Sequence, residues 1–144
     1  MIHLLKLKTT LLVFSLFLFA PNVFGADVTT VYFVPFQIET YVPITRATVV
    51  SQAWEKWTIS SKSQTSSLIA LLNRGDEETF DEYRVRVLIL SGNQTFFIDA
   101  NGVASTKGKL GIGIDKAMFI KFRDSLHTDQ RKILRKEESE EVTR

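Results

Sequence analysis

From Tyr83 to Leu90 the chain alternates. Arg84 and Arg86 stand against Val85 and Val87, and an aliphatic run follows to Leu90. A period of two is the pattern of a strand that turns one face to a core. Ser91-Gly-Asn-Gln94 supplies turn chemistry, because glycine and asparagine tolerate positive φ. Further strands are expected at Thr95–Ile98, Val103–Thr106 and Leu110–Ile114, separated by turns at Asp99–Gly102 and Lys107–Lys109. Strands joined by connections this short are antiparallel neighbours, since parallel pairs need long crossovers. Asp115 then caps a helix over 116–126, whose Met118, Phe119, Phe122 and Leu126 form one apolar stripe, with Phe122 expected in the core.

Upstream the signals are mixed. Val31–Val34 and Phe36–Val42 are rich in strand formers, with Phe36 and Ile38 on one face. Pro35 between them requires an edge strand with a bend or two short strands. Thr45 is placed as an N-cap, and Ala47, Val50, Ala53, Trp54 and Trp57 recur at helical spacing, which predicts a helix over 46–57. Two tryptophans three apart would share a face, either as a ligand platform or, as burial statistics favour, as the widest part of a core. Thr58–Ser67 reads as a serine-rich loop and Leu68–Leu72 as a short helix, with Ser66 or Ser67 as its cap and Gly75 closing it. Asp76–Glu82 reads as an acidic loop around Phe80. The pattern as a whole predicts an α+β domain, an antiparallel sheet of four to six strands covered on one face by the Trp54/Trp57 helix and the 115–126 helix.

The ends are different in kind. Lys6 and Lys8 precede the apolar run Leu11–Ala20, and Pro21 and the small residues Gly25 and Ala26 follow. That is the layout of a secretory signal peptide over 1–25. The run is shorter than the roughly 20 residues of a spanning helix. A single domain over 26–126 and a charged tail over 127–144, partly helical or unstructured, complete the expected organisation. The chain has 18 Lys+Arg and 16 Asp+Glu, and two of the lysines lie in the expected signal peptide. The remainder is formally neutral, which removes the electrostatic case for nucleic acid. It also holds no cysteine. An exported domain without disulfides points to a bacterial periplasm, with no stable membrane insertion after cleavage.

Counting narrows the chemistry. Beyond residue 25 only His127 is left, with no Cys, so thiolate nucleophiles and His- or Cys-rich metal sites have no residues to build on. No phosphate-binding or dinucleotide-binding glycine pattern is present, and no cofactor is called for. Carboxylates remain. Asp76, Glu78, Asp81 and Glu82 belong to the densest acidic group, open to a hydrolase, a calcium loop or a solvated surface, of which the last is the commonest use. Arg84 and Arg86, one strand-step apart, would form a positive stripe suited to an acidic partner, or pair with acidic neighbours across the sheet. These six residues are the candidate partner-binding set. The expected activity is stoichiometric binding of a protein in the envelope, as an inhibitor or an immunity protein against a toxin. An accessory subunit of an envelope, secretion or conjugation assembly is the second reading, and a carboxylate hydrolase the third. The exported protein should begin at Ala26 or Asp27. N-terminal sequencing that returned Met1 would remove the signal peptide from this picture.

Overall fold

The computed structural model describes residues 27–135, so the whole expected signal peptide and residues 136–144 of the expected tail lie outside the described residues. Eight strands make one antiparallel sheet: β1 (Thr29–Phe33), β2 (Glu55–Ile59), β3 (Glu77–Thr79), β4 (Val85–Ser91), β5 (Gln94–Asp99), β6 (Val103–Ser105), β7 (Leu110–Gly113) and β8 (Arg131–Ile133). Their order across the sheet is β3-β7-β6-β5-β4-β1-β2-β8. Three helices accompany it, α1 (Val49–Gln52), α2 (Lys62–Leu71) and α3 (Lys116–Ser125). The chain is α+β as the pattern predicts, with more strands than expected. Among the described residues no helix is long and apolar enough to cross a membrane.

The meander β4–β7 forms where period two and turn residues agree. Its three connections carry Gly92, Gly102 and Gly108 at φ +56°, +81° and +70°, backbone that other residues adopt only with strain. Asp115 caps α3 by accepting a hydrogen bond from the Met118 amide at 3.2 Å. The stripe on α3 is narrower than its spacing suggests. Phe119 and Leu126 are buried, Phe122 is only partly covered and Met118 is exposed, so Phe119 is the core residue in place of Phe122.

The stretch predicted as a helix over 46–57 is where the structure departs most. Only Val49–Gln52 is helical, and Glu55–Ile59 is the interior strand β2, paired with β1 and β8. Residues 54, 57 and 50 fit a helical stripe, while 55, 57 and 59 fit a strand face. The second pattern is visible only if Glu55 counts as an inward position. Trp57 is accordingly in the main core, whereas Trp54 packs against a second cluster. The expected serine-rich loop is largely α2. Ser61 caps it through the Gln64 amide at 3.3 Å, Lys62, Ser63, Ser66 and Ser67 face water, and Leu68 and Leu72 face the core. Gly75 does not close that helix. It lies against the Gly113 carbonyl, where a Cβ would collide. The expected acidic loop contains β3, an exposed edge strand on β7, which tolerates charge on both faces. Phe36–Val42 is irregular backbone between Pro35 and Pro43 rather than a strand. After α3 the chain forms a 3₁₀ turn (Thr128–Gln130) and then β8, so the start of the expected tail adds a strand to the sheet.

Both faces of the sheet are covered. One carries Val31, Phe33, Trp57, Ile59, Val87, Ile89, Phe96 and Ile98 beneath α2 and α3. There the Phe119 ring lies 5.6 Å from Trp57, 5.7 Å from Phe36 and 6.3 Å from Phe33, an aromatic cluster at edge and tilted angles. On the other face Val34, Phe80, Val85, Leu88 and Val103 cluster with Val49 of α1 and with Ile44 of the segment that leads into it.

A charge is buried at the β2 end of the first face. Glu55 is 6% exposed. Its carboxylate accepts hydrogen bonds from Trp57 Nε1 at 2.8 Å, Arg123 Nε at 3.0 Å, Arg123 Nη2, and Arg131 Nη2 at 3.0 Å. Burial alone would raise its pKa. The hydrogen bonds from Arg123, Trp57 and Arg131 outweigh that effect and lower it from 4.5 to about 2. Because the folded pKa lies below the unfolded one, this stabilisation is complete above about pH 4.5 and is lost as pH falls toward 2, an amount on the order of 3 kcal/mol. Urea unfolding across pH should show Glu55→Gln less stable than the parent by about that much at pH 7, with the gap closing between pH 4.5 and pH 2. A gap that stayed constant down to pH 2 would contradict the ionised carboxylate.

Candidate functional site

The candidate site is assembled where β1 ends and β4 begins. β1 stops at Phe33, and Val34 still pairs, its amide donating to the Arg86 carbonyl at 2.7 Å. Pro35 then breaks the ladder because it has no N–H to give. The chain turns, with the Ile38 amide donating to the Pro35 carbonyl at 3.2 Å, runs out through Tyr41 and Val42, and returns at Pro43. Ile44 re-enters the sheet region as a parallel bridge to Arg84, fixed by the Val85 amide on the Ile44 carbonyl at 2.8 Å.

The other wall comes from the approach to β4. Asp81 and the buried Asp99 build it. The Asp99 carboxylate accepts from the backbone amides of Asp81, Asn101 and Val103 at 2.8, 2.9 and 2.9 Å, and Asp81 accepts from the Tyr83 amide at 3.0 Å. These turns present Tyr83 outward. Tyr41 is fully exposed, Val42 is 74% exposed and Tyr83 69%.

Arg84 and Arg86 do not form the common exposed stripe that strict alternation predicts. The register of β4 on β5 shifts between Val85 and Val87: Val85 opposes Asp99 and Val87 opposes Ile98, which makes Arg86 the extra residue of a β-bulge. Val85 and Val87 consequently belong to opposite cores. Arg84 is exposed, but Arg86 is only 2% exposed. Arg86 Nη2 donates to the Ile38 carbonyl at 2.7 Å and Nη1 to the Val85 carbonyl at 3.1 Å, while Nε is buried without a partner. Burial first, and then the adjacent Arg84 charge, lower the Arg86 pKa, against the opposing pull of Asp81 and Asp99.

Between these walls is an open cleft of about 460 Å³ lined by Glu39, Thr40, Tyr41, Pro43, Tyr83, Arg84 and Arg86. A second hollow of about 430 Å³ lies on the far flank of the Tyr41–Pro43 loop, against Ile44, Thr48 and Gln52. A third of about 430 Å³, against Thr79, Phe80, Asp81, Glu82 and Lys109, lies on the far side of Tyr83. The two tyrosines thus stand as ridges between hollows.

The acidic candidates divide. Asp81 and Glu82 border the third hollow beside Tyr83, while Asp76 and Glu78 lie at and in the β3 edge, where the Glu78 carboxylate occupies the space that a Cβ on Gly113 would need. Among the described residues no group of three or more His, Asp and Glu side chains is placed to hold a metal ion. Sequence reasoning missed Glu39, Tyr41, Val42 and Pro43. The available signal was Pro35 and Pro43 bracketing an apolar stretch, a bracket that argues for an exposed loop over a strand. No family model matches the chain, and neither a curated protein nor a solved structure matches it significantly.

Proposed function

We propose that this is an exported protein-binding domain, acting by stoichiometric contact in the manner of an inhibitor or immunity protein, and that it docks through the face built from Tyr41–Pro43, Tyr83 and Arg84. The observation that carries this reading is the pair of projecting tyrosines. Tyrosine side chains are ordinarily at least partly buried, and Tyr41 and Tyr83 instead flank an arginine-lined cleft at the end of the sheet. Tyrosine and arginine are residue types that concentrate binding energy at protein interfaces: both combine area with directional hydrogen bonding, and tyrosine does so at low entropic cost. The partner is a folded, soluble protein that presents an acidic segment, by charge complementarity to the two guanidinium groups in the cleft.

The test is a 1:1 complex with a soluble envelope protein, measured by light scattering and by calorimetry. Replacing Tyr41 and Tyr83 together by alanine should weaken it at least tenfold, about 1.4 kcal/mol, while the unfolding midpoint stays where it was, since both side chains are exposed. Affinity untouched by the double substitution would remove this face from the interface. Recovery of the protein only within a multisubunit membrane assembly would favour the accessory-subunit reading instead.

A further inference from the structure

Arginines in this molecule are provided for in different ways. Arg123 and Arg131 share the Glu55 carboxylate. Arg46 lies over the rings of Phe80 and Phe97, 4.5 and 4.9 Å from their centroids, and donates to the Gly108 carbonyl at 2.7 Å. Arg86, the most deeply buried of them, has neither. Its two hydrogen bonds go to neutral carbonyls, and it forms no ion pair among the described residues. A buried guanidinium normally has a direct counter-ion, because a charge taken from water without one is costly. Two of its five N–H groups are engaged, and its side chain lines the cleft beside Arg84.

We infer that the cleft is a carboxylate-binding site, in which Arg86 and Arg84 receive one acidic side chain or chain terminus of the bound protein between Tyr41 and Tyr83. This rests on the docking face proposed above and names what enters it. Charge and shape select the ligand class. Two guanidinium groups and one carboxylate, Glu39, line the cleft, and Asp81 and Asp99 offset part of the Arg86 charge without forming an ion pair with it, so the site suits a single anionic charge better than a phosphate dianion. A carboxylate also offers two oxygens in one plane, the geometry that a guanidinium fork matches. Glu39 has a role in this arrangement. Exposed, and without an ion pair among the described residues, it repels the incoming carboxylate and holds the affinity of the empty cleft down.

The experiment is a titration of 15N-labelled protein, following backbone amides and arginine Nε–Hε signals, with capped tetraglutamate, capped tetraglutamine and inorganic phosphate. Tetraglutamate should shift Arg84, Arg86 and Tyr41, weakening as salt rises, and tetraglutamine should not. Arg84→Ala should raise the tetraglutamate Kd about tenfold, and Glu39→Gln should lower it about threefold. Both side chains are exposed, so neither variant is put at risk of unfolding. Equal response to the two peptides, no response at the cleft, tighter binding of phosphate than of tetraglutamate, or weaker binding by Glu39→Gln would each overturn the inference. Its failure is separable from that of the docking face. If Tyr41 and Tyr83 matter to the partner and Arg84 does not, the face stands and the carboxylate site falls. If tetraglutamate occupies the cleft while the partner ignores both tyrosines, the docking face falls, and with it the assignment of the carboxylate to a protein.

Discussion

Glu55 is a carboxylate held in the core by three residues, Trp57 on its own strand and, from distant parts of the chain, Arg123 on α3 and Arg131 on β8. The opposing effects are large. Desolvation pushes the carboxyl toward protonation, and the donors win by enough to bring its pKa to about 2. What the arrangement secures is placement. Arg123 docks the last turn of α3, with its guanidinium 5.4 Å from the centre of the Phe33 ring, and so holds Phe119 against Trp57 and Phe33. Arg131 fixes the first residue of β8, a strand of three residues that has little apolar surface to hold it otherwise.

The same sheet carries the candidate site. β1 lies between β2, which bears Glu55, and β4, which bears Arg86. At its end the Val34 amide bonds the Arg86 carbonyl, and the Arg86 side chain bonds the Ile38 carbonyl. The arm that leads to Tyr41 is therefore anchored to the bulge, and the returning arm is held where the Val85 amide donates to the Ile44 carbonyl. An interface of rigid aromatic anchors loses less freedom on binding than one of mobile side chains. This links the ordered core to the proposed binding role.

What the sequence disclosed follows from how local each signal is. The β4–β7 meander and α3 were legible because alternation, turn glycines and the Asp115 cap all lie within a few residues of one another. β2 was not, because Glu55 faces the core and its inward position makes sense only with Arg123 and Arg131 in place, 68 and 76 residues away. β3 and β8 are edge strands of three residues, too short to show a period. At the site, Arg84 and Arg86 were visible as a pair. Their separation into an exposed and a buried arginine depends on a bulge, and a bulge is a property of two paired strands. Tyr41 looked like part of a strand because tyrosine and valine favour strands, and the two prolines decided otherwise.

One buried carboxylate fastens both α3 and β8 to the sheet, and hydrogen exchange measured segment by segment reads out that coupling. In Glu55→Gln at pH 7, residues 116–125 and 131–133 should lose protection together, while the β4–β5 hairpin keeps it. Loss confined to one of the two segments, or a uniform loss across the sheet, would mean that Glu55 does not couple them.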